Sequence, residues 1–215
     1  MTTICITQRP EHLDAAAAII TAAFQTEPIT TTTLDLSRPH LKLVYIHIVR
    51  QKLTTYARIR HPILVALQHD RVVGVALLHD PHIKPDLAQS LPSQLRLLPM
   101  LIALLPTVQI RFFQHFLTVT RPFADLPNPH YTLEALAVHP DYQGQGIGQR
   151  LLNAIDQRYG GDAQANGVYL FTANPNTQRL YDMNGAVIRH CTPGRRGRCR
   201  RIICSVHRPT SSRQP

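Results

Sequence analysis

Acidic residues are scarce in this chain: 13 Asp and Glu stand against 23 Lys and Arg among 215 residues. The imbalance favours an anionic partner, whether nucleic acid, a membrane surface or a phosphorylated cofactor, without choosing among them. Cysteine is sparse too. Cys5, Cys191, Cys199 and Cys204 form no CxxC pair and have no zinc spacing with histidine. They read as free thiols in a reducing compartment rather than as a disulfide framework or a metal site. The 12 histidines contain no HExxH pair, and no metal is expected. The opening "MTTICITQRPEHLD" lacks a basic segment followed by an apolar core, so no signal peptide is expected. Long apolar runs are missing as well. The most apolar stretch, "LLPMLIALLPTVQI" (Leu97 to Ile110), is too short to span a bilayer and carries Pro99 and Pro106. These absences together point to a cytoplasmic protein with no membrane partner.

What is present suffices for a real core: 44% of the residues are hydrophobic. No repeat and no clear domain boundary interrupts the chain. The expectation is one domain over 1–207, with a proline-broken helical insert at about 87–120, and a disordered tail at 208–215. "TICITQ" reads as a short strand. "EHLDAAAAIITAAF" carries Leu13, Ala17, Ile20 and Phe24 on one helical stripe, and "HLKLVYIHIVRQKLTTYARIR" repeats that period at Leu41, Val44, Tyr45 and Ile48 until Pro62. "ILVALQ" and "VVGVALLH" flank the polar His69–Arg71 as a hairpin would. A strand is expected from about Tyr131 to Val138 and a helix to about Tyr159, ended by Gly160 and Gly161. "GVYLFTA" reads as a buried strand and "NPNTQRLYDMNG" as a short helix. "AVIRHC" and "RIICSVH" read as a closing strand pair around the basic loop "TPGRRGRCR".

The informative stretch is "HPDYQGQGIGQRLL", where Gly144, Gly146 and Gly148 precede an amphipathic run with Ile147, Leu151, Leu152, Ile155 and Tyr159 on one face. Amide N–H groups at a helix start bind anions, and glycine lets a bulky diphosphate approach the backbone. A Walker A loop would need Lys and then Ser or Thr after the last glycine, where Gln149 and Arg150 stand. A dinucleotide-binding GxGxxG turn would need its third glycine at Gln149. Both spacings fail, and Gln143-x-x-Gly146-x-Gly148 is what remains.

That pattern, within "LEALAVHPDYQGQGIGQRLL", resembles the acyl-CoA-binding motif of the GNAT superfamily, the GCN5-related N-acetyltransferases. "TANPNTQRLYDMNGA" resembles a second family feature, with Asn174, Tyr181 and Gly185 in the matching places. The resemblance is strong from about Tyr131 to Ala186 and weaker from Ile4 to Phe24. It departs at Gly185-Ala186, where the family has Gly-Phe, and in the insert. It implies an α/β fold with a mixed, mostly antiparallel central sheet, splayed strands and flanking helices. It implies acetyl-CoA as cosubstrate, with Leu136 and Ala137 along the pantetheine arm and the Val138 N–H at the thioester carbonyl. Gln143, Gly144, Gln145, Gly146, Ile147, Gly148, Gln149 and Asn174 would complete the cofactor site, and Tyr181 would protonate the leaving thiolate.

The acceptor amine must lose a proton before it attacks. At a pKa of about 10.4, only about one lysine-like amine in a few thousand is neutral near pH 7. Glu134 is the one carboxylate inside the expected fourth strand and is the candidate base, on a face with Thr132 and Leu136 if strand alternation is regular. The expected function is therefore an acetyl-CoA-dependent N-acyltransferase acting on a primary amine of a small molecule. A protein or peptide N-acetyltransferase and a non-catalytic CoA-binding regulator are the alternatives. Nucleic acid is not the expected partner, because no RRM, helix-turn-helix or zinc pattern accompanies the "RHCTPGRRGRCRR" run. The acceptor, the acyl chain length, the roles of the insert and of loop 193–201, and whether the chain forms a homodimer stay open.

Overall fold

A computed structural model describes residues 2–25, 27, 30, 35–84, 95, 126, 128–172, 187–191 and 201–206. The expected insert apart from Leu95, the Asn174–Gly185 segment, residues 193–200 of the arginine-rich loop and the tail lie outside the described residues. In chain order the elements are β1 (Thr3–Ile6), α1 (Pro10–Phe24), α2 (Pro39–Arg58), β2 (Ile63–Gln68), β3 (Arg71–His79), β4 (Tyr131–Val138), α3 (Ile147–Tyr159), β5 (Val168–Thr172), β6 (Val187–Cys191) and β7 (Arg201–Val206). They build a 7-stranded sheet in the order β1-β2-β3-β4-β5-β7-β6. Every neighbouring pair is antiparallel except β4 and β5.

Period-two alternation divides the strand residues between two cores. Leu64, Ala66, Ala76, Leu78 and Leu133 meet Ile147, Leu151, Leu152 and Ile155 of α3 on one face. Ile63, Val65, Val75, Leu77 and Ala137 meet Leu13, Ala16, Ala17 and Ile20 of α1, with Leu53 and Tyr56 of α2, on the other. The β2–β3 hairpin closes with Gln68 opposite Arg71, so Arg71 belongs to the strand and the loop is His69 and Asp70 alone. Both loop residues have positive φ, 48° and 60°, as a twist-compatible two-residue turn demands.

α2 ends before Pro62 is reached. Arg60 takes a left-handed conformation (φ 66°). Its N–H bonds to Ala57 O (3.3 Å), and the His61 N–H bonds to Tyr56 O (2.9 Å). This is a Schellman termination with arginine in the place glycine usually takes. It delivers His61 directly beneath Tyr56, with ring centroids 4.7 Å apart.

β4 departs from regular alternation. Leu77 pairs with Ala135 and Leu78 with Leu133, so Glu134 is an extra residue in the ladder, a β-bulge. The amides record the reversal. The Tyr131 N–H points toward β5, bonding to Gly167 O (3.0 Å), whereas the His139 N–H points toward β3, bonding to Val73 O (2.9 Å). In a regular strand, residues an even number apart would aim their amides at the same edge. The expected shared face of Thr132, Glu134 and Leu136 is therefore corrected. Glu134 meets α2, and Leu136 packs on the α3 side.

Close docking of α3 depends on Gly74 of β3. A Cβ there would lie 2.9 Å from Ile147 Cγ2 and 3.2 Å from Leu151 Cδ1, both on fully buried side chains. Gly74→Ala is expected to destabilise the domain by about 1–3 kcal/mol through overpacking. Urea unfolding at an unchanged slope checks this, and an unshifted midpoint would show that α3 can retreat freely.

Candidate active site

β5 follows β4 only from Tyr131 to Leu133. β3 accompanies β4 through to Val138. The strands thus part at the bulge, leaving the second half of β4 with an edge that β5 does not cover. By the amide alternation fixed at His139, Val138 and Leu136 aim their N–H groups into that opening. Val138 also aims its carbonyl there, and the Gln143 side-chain amide donates to it (3.2 Å). Ala137 is buried against α1 and α2 and turns its N–H and C=O into the β3 ladder, so it brings no polar group to the opening.

A turn at Pro140–Tyr142 leads from β4 to the glycines. Gly144 and Gly146 have φ of 75° and 72°, a region that L side chains adopt at a cost of about 1–2 kcal/mol. Among the described residues no atom lies within 4 Å of where a Cβ on either would stand, so they leave the space above the glycines open. Gly146 is the N-cap of α3, and among the described residues no side chain caps the helix. The first helical hydrogen bond is Arg150 N–H to Gly146 O (3.1 Å). The amides ahead of it have no carbonyl of the helix to bind, and they carry the positive end of its dipole. Ile147 is buried in the α3 core, so it anchors the loop rather than reaching a ligand. Gln149 turns its side chain along the helix to Asn153 (3.2 Å), and Gln145 is exposed. Asn174 and Tyr181 lie outside the described residues.

On the opposite face of the sheet, Glu134 forms an ion pair with Lys52 and accepts from the Tyr56 hydroxyl, both on α2. Its Oε2 is sealed from solvent and meets the Lys52 ammonium without a well-aligned hydrogen bond. Burial pushes the carboxyl up, but the Lys52 charge and the Lys52 and Tyr56 contacts outweigh it and hold Glu134 below its usual range. Burial, then the Glu134 charge, drives the Tyr56 phenol far upward, so it stays a donor. Lys52 also lies 5.8 Å from the centre of the Tyr56 ring. His61 and His79 continue the cluster, with ring centroids 4.6 Å apart. Burial and the neighbouring His79 lower His61, whose Nδ1 accepts the Asp80 N–H (3.2 Å). Among the described residues no His, Cys, Asp and Glu group could hold a metal, and no helix is long and apolar enough to cross a membrane.

The sequence marks Glu134 but not its partners, apart from one signal: Lys52 and Tyr56 are four apart, and Lys52 interrupts the helical stripe through Leu41, Tyr45, Ile48 and Tyr56.

A family model for the acetyltransferase (GNAT) family matches residues 31–185. The chain belongs to the GNAT acetyltransferase family. Known GNAT structures share the fold. A histone acetyltransferase HPA2 and related acetyltransferase from Corynebacterium glutamicum is similar at 20% identity, with a TM-score of 0.61 over 97% of this chain and 98% of that one. An N-acetyltransferase from Staphylococcus aureus Mu50 is similar at 16% identity, with a TM-score of 0.57 over 93% and 98%. The yncA protein of Salmonella typhimurium, with its cofactor acetyl-CoA, is similar at 16% identity, with a TM-score of 0.51 over 97% and 95%. No curated protein sequence matches the chain. The mixed, mostly antiparallel sheet with flanking helices is thus the GNAT fold, as the motif implied.

The Glu134 pairing has a pH signature. Its carboxyl is lowered on folding, so its ionisation stabilises the fold above the ordinary value of 4.5 and that contribution fades as pH falls through the lowered value. The stability difference between wild type and Glu134→Gln should therefore be constant above about pH 5.5 and shrink below about pH 4.5. Urea unfolding across that range tests it, and a difference that grows on acidification would reverse the sign assigned here.

Proposed function

We propose that this GNAT domain transfers acetyl from acetyl-CoA to a primary amine of a small molecule, by direct attack through a tetrahedral intermediate. The observation that carries the reading is the glycine-lined start of α3 lying beside the edge of β4 that β5 does not cover. The open space above Gly144 and Gly146 fits a diphosphate, and the helix amides supply donors and dipole for it. The pantetheine arm then runs along Leu136, Ala137 and Val138. An inward amide of β4, assigned to Val138, donates to the thioester carbonyl as negative charge develops on it. Glu134 takes the proton that the amine nitrogen sheds, directly or through water. The C–N bond forms, the C–S bond breaks, and Tyr181 returns a proton to the thiolate. The acetyl donor and Glu134 approach from opposite faces of the sheet, which suits direct transfer with both substrates bound. A recessed carboxylate, 24% exposed, favours a small acceptor over a protein surface. The setting is cytoplasmic, and neither nucleic acid nor a metal has a part in it.

A thiol-release assay with acetyl-CoA against amines, amino acids, polyamines and aminoglycosides tests the activity. Saturable acetyl-CoA binding without release in any case would make the chain a CoA-binding regulator. The anion loop is tested by Gly146→Asn. Asparagine tolerates positive φ, so the fold should survive while the side chain fills the cradle. Acetyl-CoA affinity should fall by about tenfold or more, roughly 1.4 kcal/mol, in calorimetric titration. Unchanged affinity in the folded variant removes the loop from the cofactor site.

Tyr181→Phe should lower kcat by about 10²-fold with acetyl-CoA affinity kept, the low end of general-acid effects. A change within about twofold while chemistry limits the rate would leave Tyr181 a packing residue.

A further inference from the structure

Glu134 already holds a cation. The Lys52 ammonium sits on its carboxylate, and the other groups of the described residues that act on it or on its neighbours are Tyr56 from α2, His61 ahead of β2 and His79 on β3, with the Asp80 carboxylate acting on His61. The pair is not a tight structural brace. Lys52 is 49% exposed, and half-exposed ion pairs contribute little to stability. What the pair does alter is the environment of an arriving amine. An alkylammonium directed to this carboxylate meets a like charge already in place, and repulsion at contact distance is strong wherever water is partly excluded. Among the described residues no second carboxylate pairs with Lys52 to offset that repulsion.

We infer that Lys52 sets acceptor specificity at this site, turning away cationic alkylamines and polyamines in favour of weakly basic amines that arrive neutral, such as an α-amino group beside a carbonyl or an aromatic amine. The inference rests on the proposed acetyl transfer with Glu134 as proton acceptor. A neutral amine needs no carboxylate to draw it in. It attacks the thioester carbon, and only then does its nitrogen become strongly acidic. The C–N bond forms, the proton passes from that nitrogen to Glu134, the C–S bond breaks and CoA leaves as thiolate. A carboxylate of modest basicity suffices for that late transfer. It is poorly matched to stripping an alkylammonium of pKa about 10.4, whereas α-amino groups near pKa 8 are substantially neutral at working pH.

The experiment uses the full chain, saturating acetyl-CoA and two acceptors of similar size, glycinamide and propylamine. For wild type, kcat/KM for propylamine, reckoned on total amine, should rise about tenfold per pH unit between pH 7 and 9, because only the neutral fraction is taken. For glycinamide it should level off near that amine's own pKa. A propylamine profile that is flat over this range would mean the cation is bound and deprotonated in place, and would overturn the inference without any variant. Lys52→Gln should lower the glycinamide-to-propylamine ratio of kcat/KM about tenfold through a gain for propylamine, and Lys52→Arg should keep it within about twofold. An unchanged ratio in a Lys52→Gln protein that folds and binds acetyl-CoA normally would overturn the inference alone. Failure of every amine to release thiol would instead remove the proposed activity, and the inference with it.

Discussion

A single extra residue in β4 governs the geometry of this molecule. Without the bulge at Glu134, the strand would keep one parity from Tyr131 onward. The amides of Leu136 and Val138 would then point into the β3 ladder, and the opening would be lined by those of Ala135 and Ala137. A one-residue slip also exchanges faces. Beyond the bulge, Leu136 and Val138, now packed beneath α3, would face α1, and Ala135 and Ala137, now against α1, would face α3. The bulge resolves two demands that a regular strand cannot meet together. The first half of β4 is paired on both edges, with its large residues beneath α3. The second half stays in register with β3 while presenting amides to the side that β5 has left.

Beside that opening, the glycine loop depends on rigid support rather than on its own side chains. Its two positive-φ positions shape the backbone, and Ile147 fixes the next residue in the α3 core. Gly74 lets that core close tightly enough to hold the helix start against β3. Gln143 adds a side-chain bond back to Val138, tying the loop to the strand that carries the inward amides. Donors held this way need no rearrangement when charge develops on a ligand, which is where preorganised backbone contributes most.

Much of this was legible in the sequence because the responsible constraints are local. The glycines at 144 and 146 stand where the backbone needs positive φ, and the apolar stripe from Ile147 to Ile155 has the helical period that buries it. Tyr131–Val138 reads as a strand from composition alone, and the structure gives the same span. The bulge does not read, because Glu134 and Ala135 are ordinary strand residues, and the register slip is decided by β3 across the ladder. Nor does the Lys52–Glu134 pair, whose members lie on either side of β2 and β3 in the chain and meet only once the sheet has formed. The end of α2 was misread for a related reason. Pro62 is the visible helix breaker, but Arg60 in a left-handed conformation ends the helix first, without the glycine that would have announced it.

The two faces of the sheet differ in how they carry chemical information. On the α3 face the candidate donor site is made largely of backbone: amides at a helix start, glycines without side chains and a strand edge. Substitution can disturb such a site but has few ways to retune it. On the α2 face the candidate acceptor site is made of side chains, with Lys52, Tyr56, His61 and His79 gathered around one carboxylate. Lys52 and Tyr56 stand on α2, His61 between α2 and β2, and His79 on β3, so none of them lies in the glycine loop. A change of charge at Lys52 can therefore alter what Glu134 attracts while the bulge, the open strand edge and the α3 amides stay where they are. If Glu134 is the proton acceptor proposed above, the same backbone would serve different acceptors through substitutions on α2 alone.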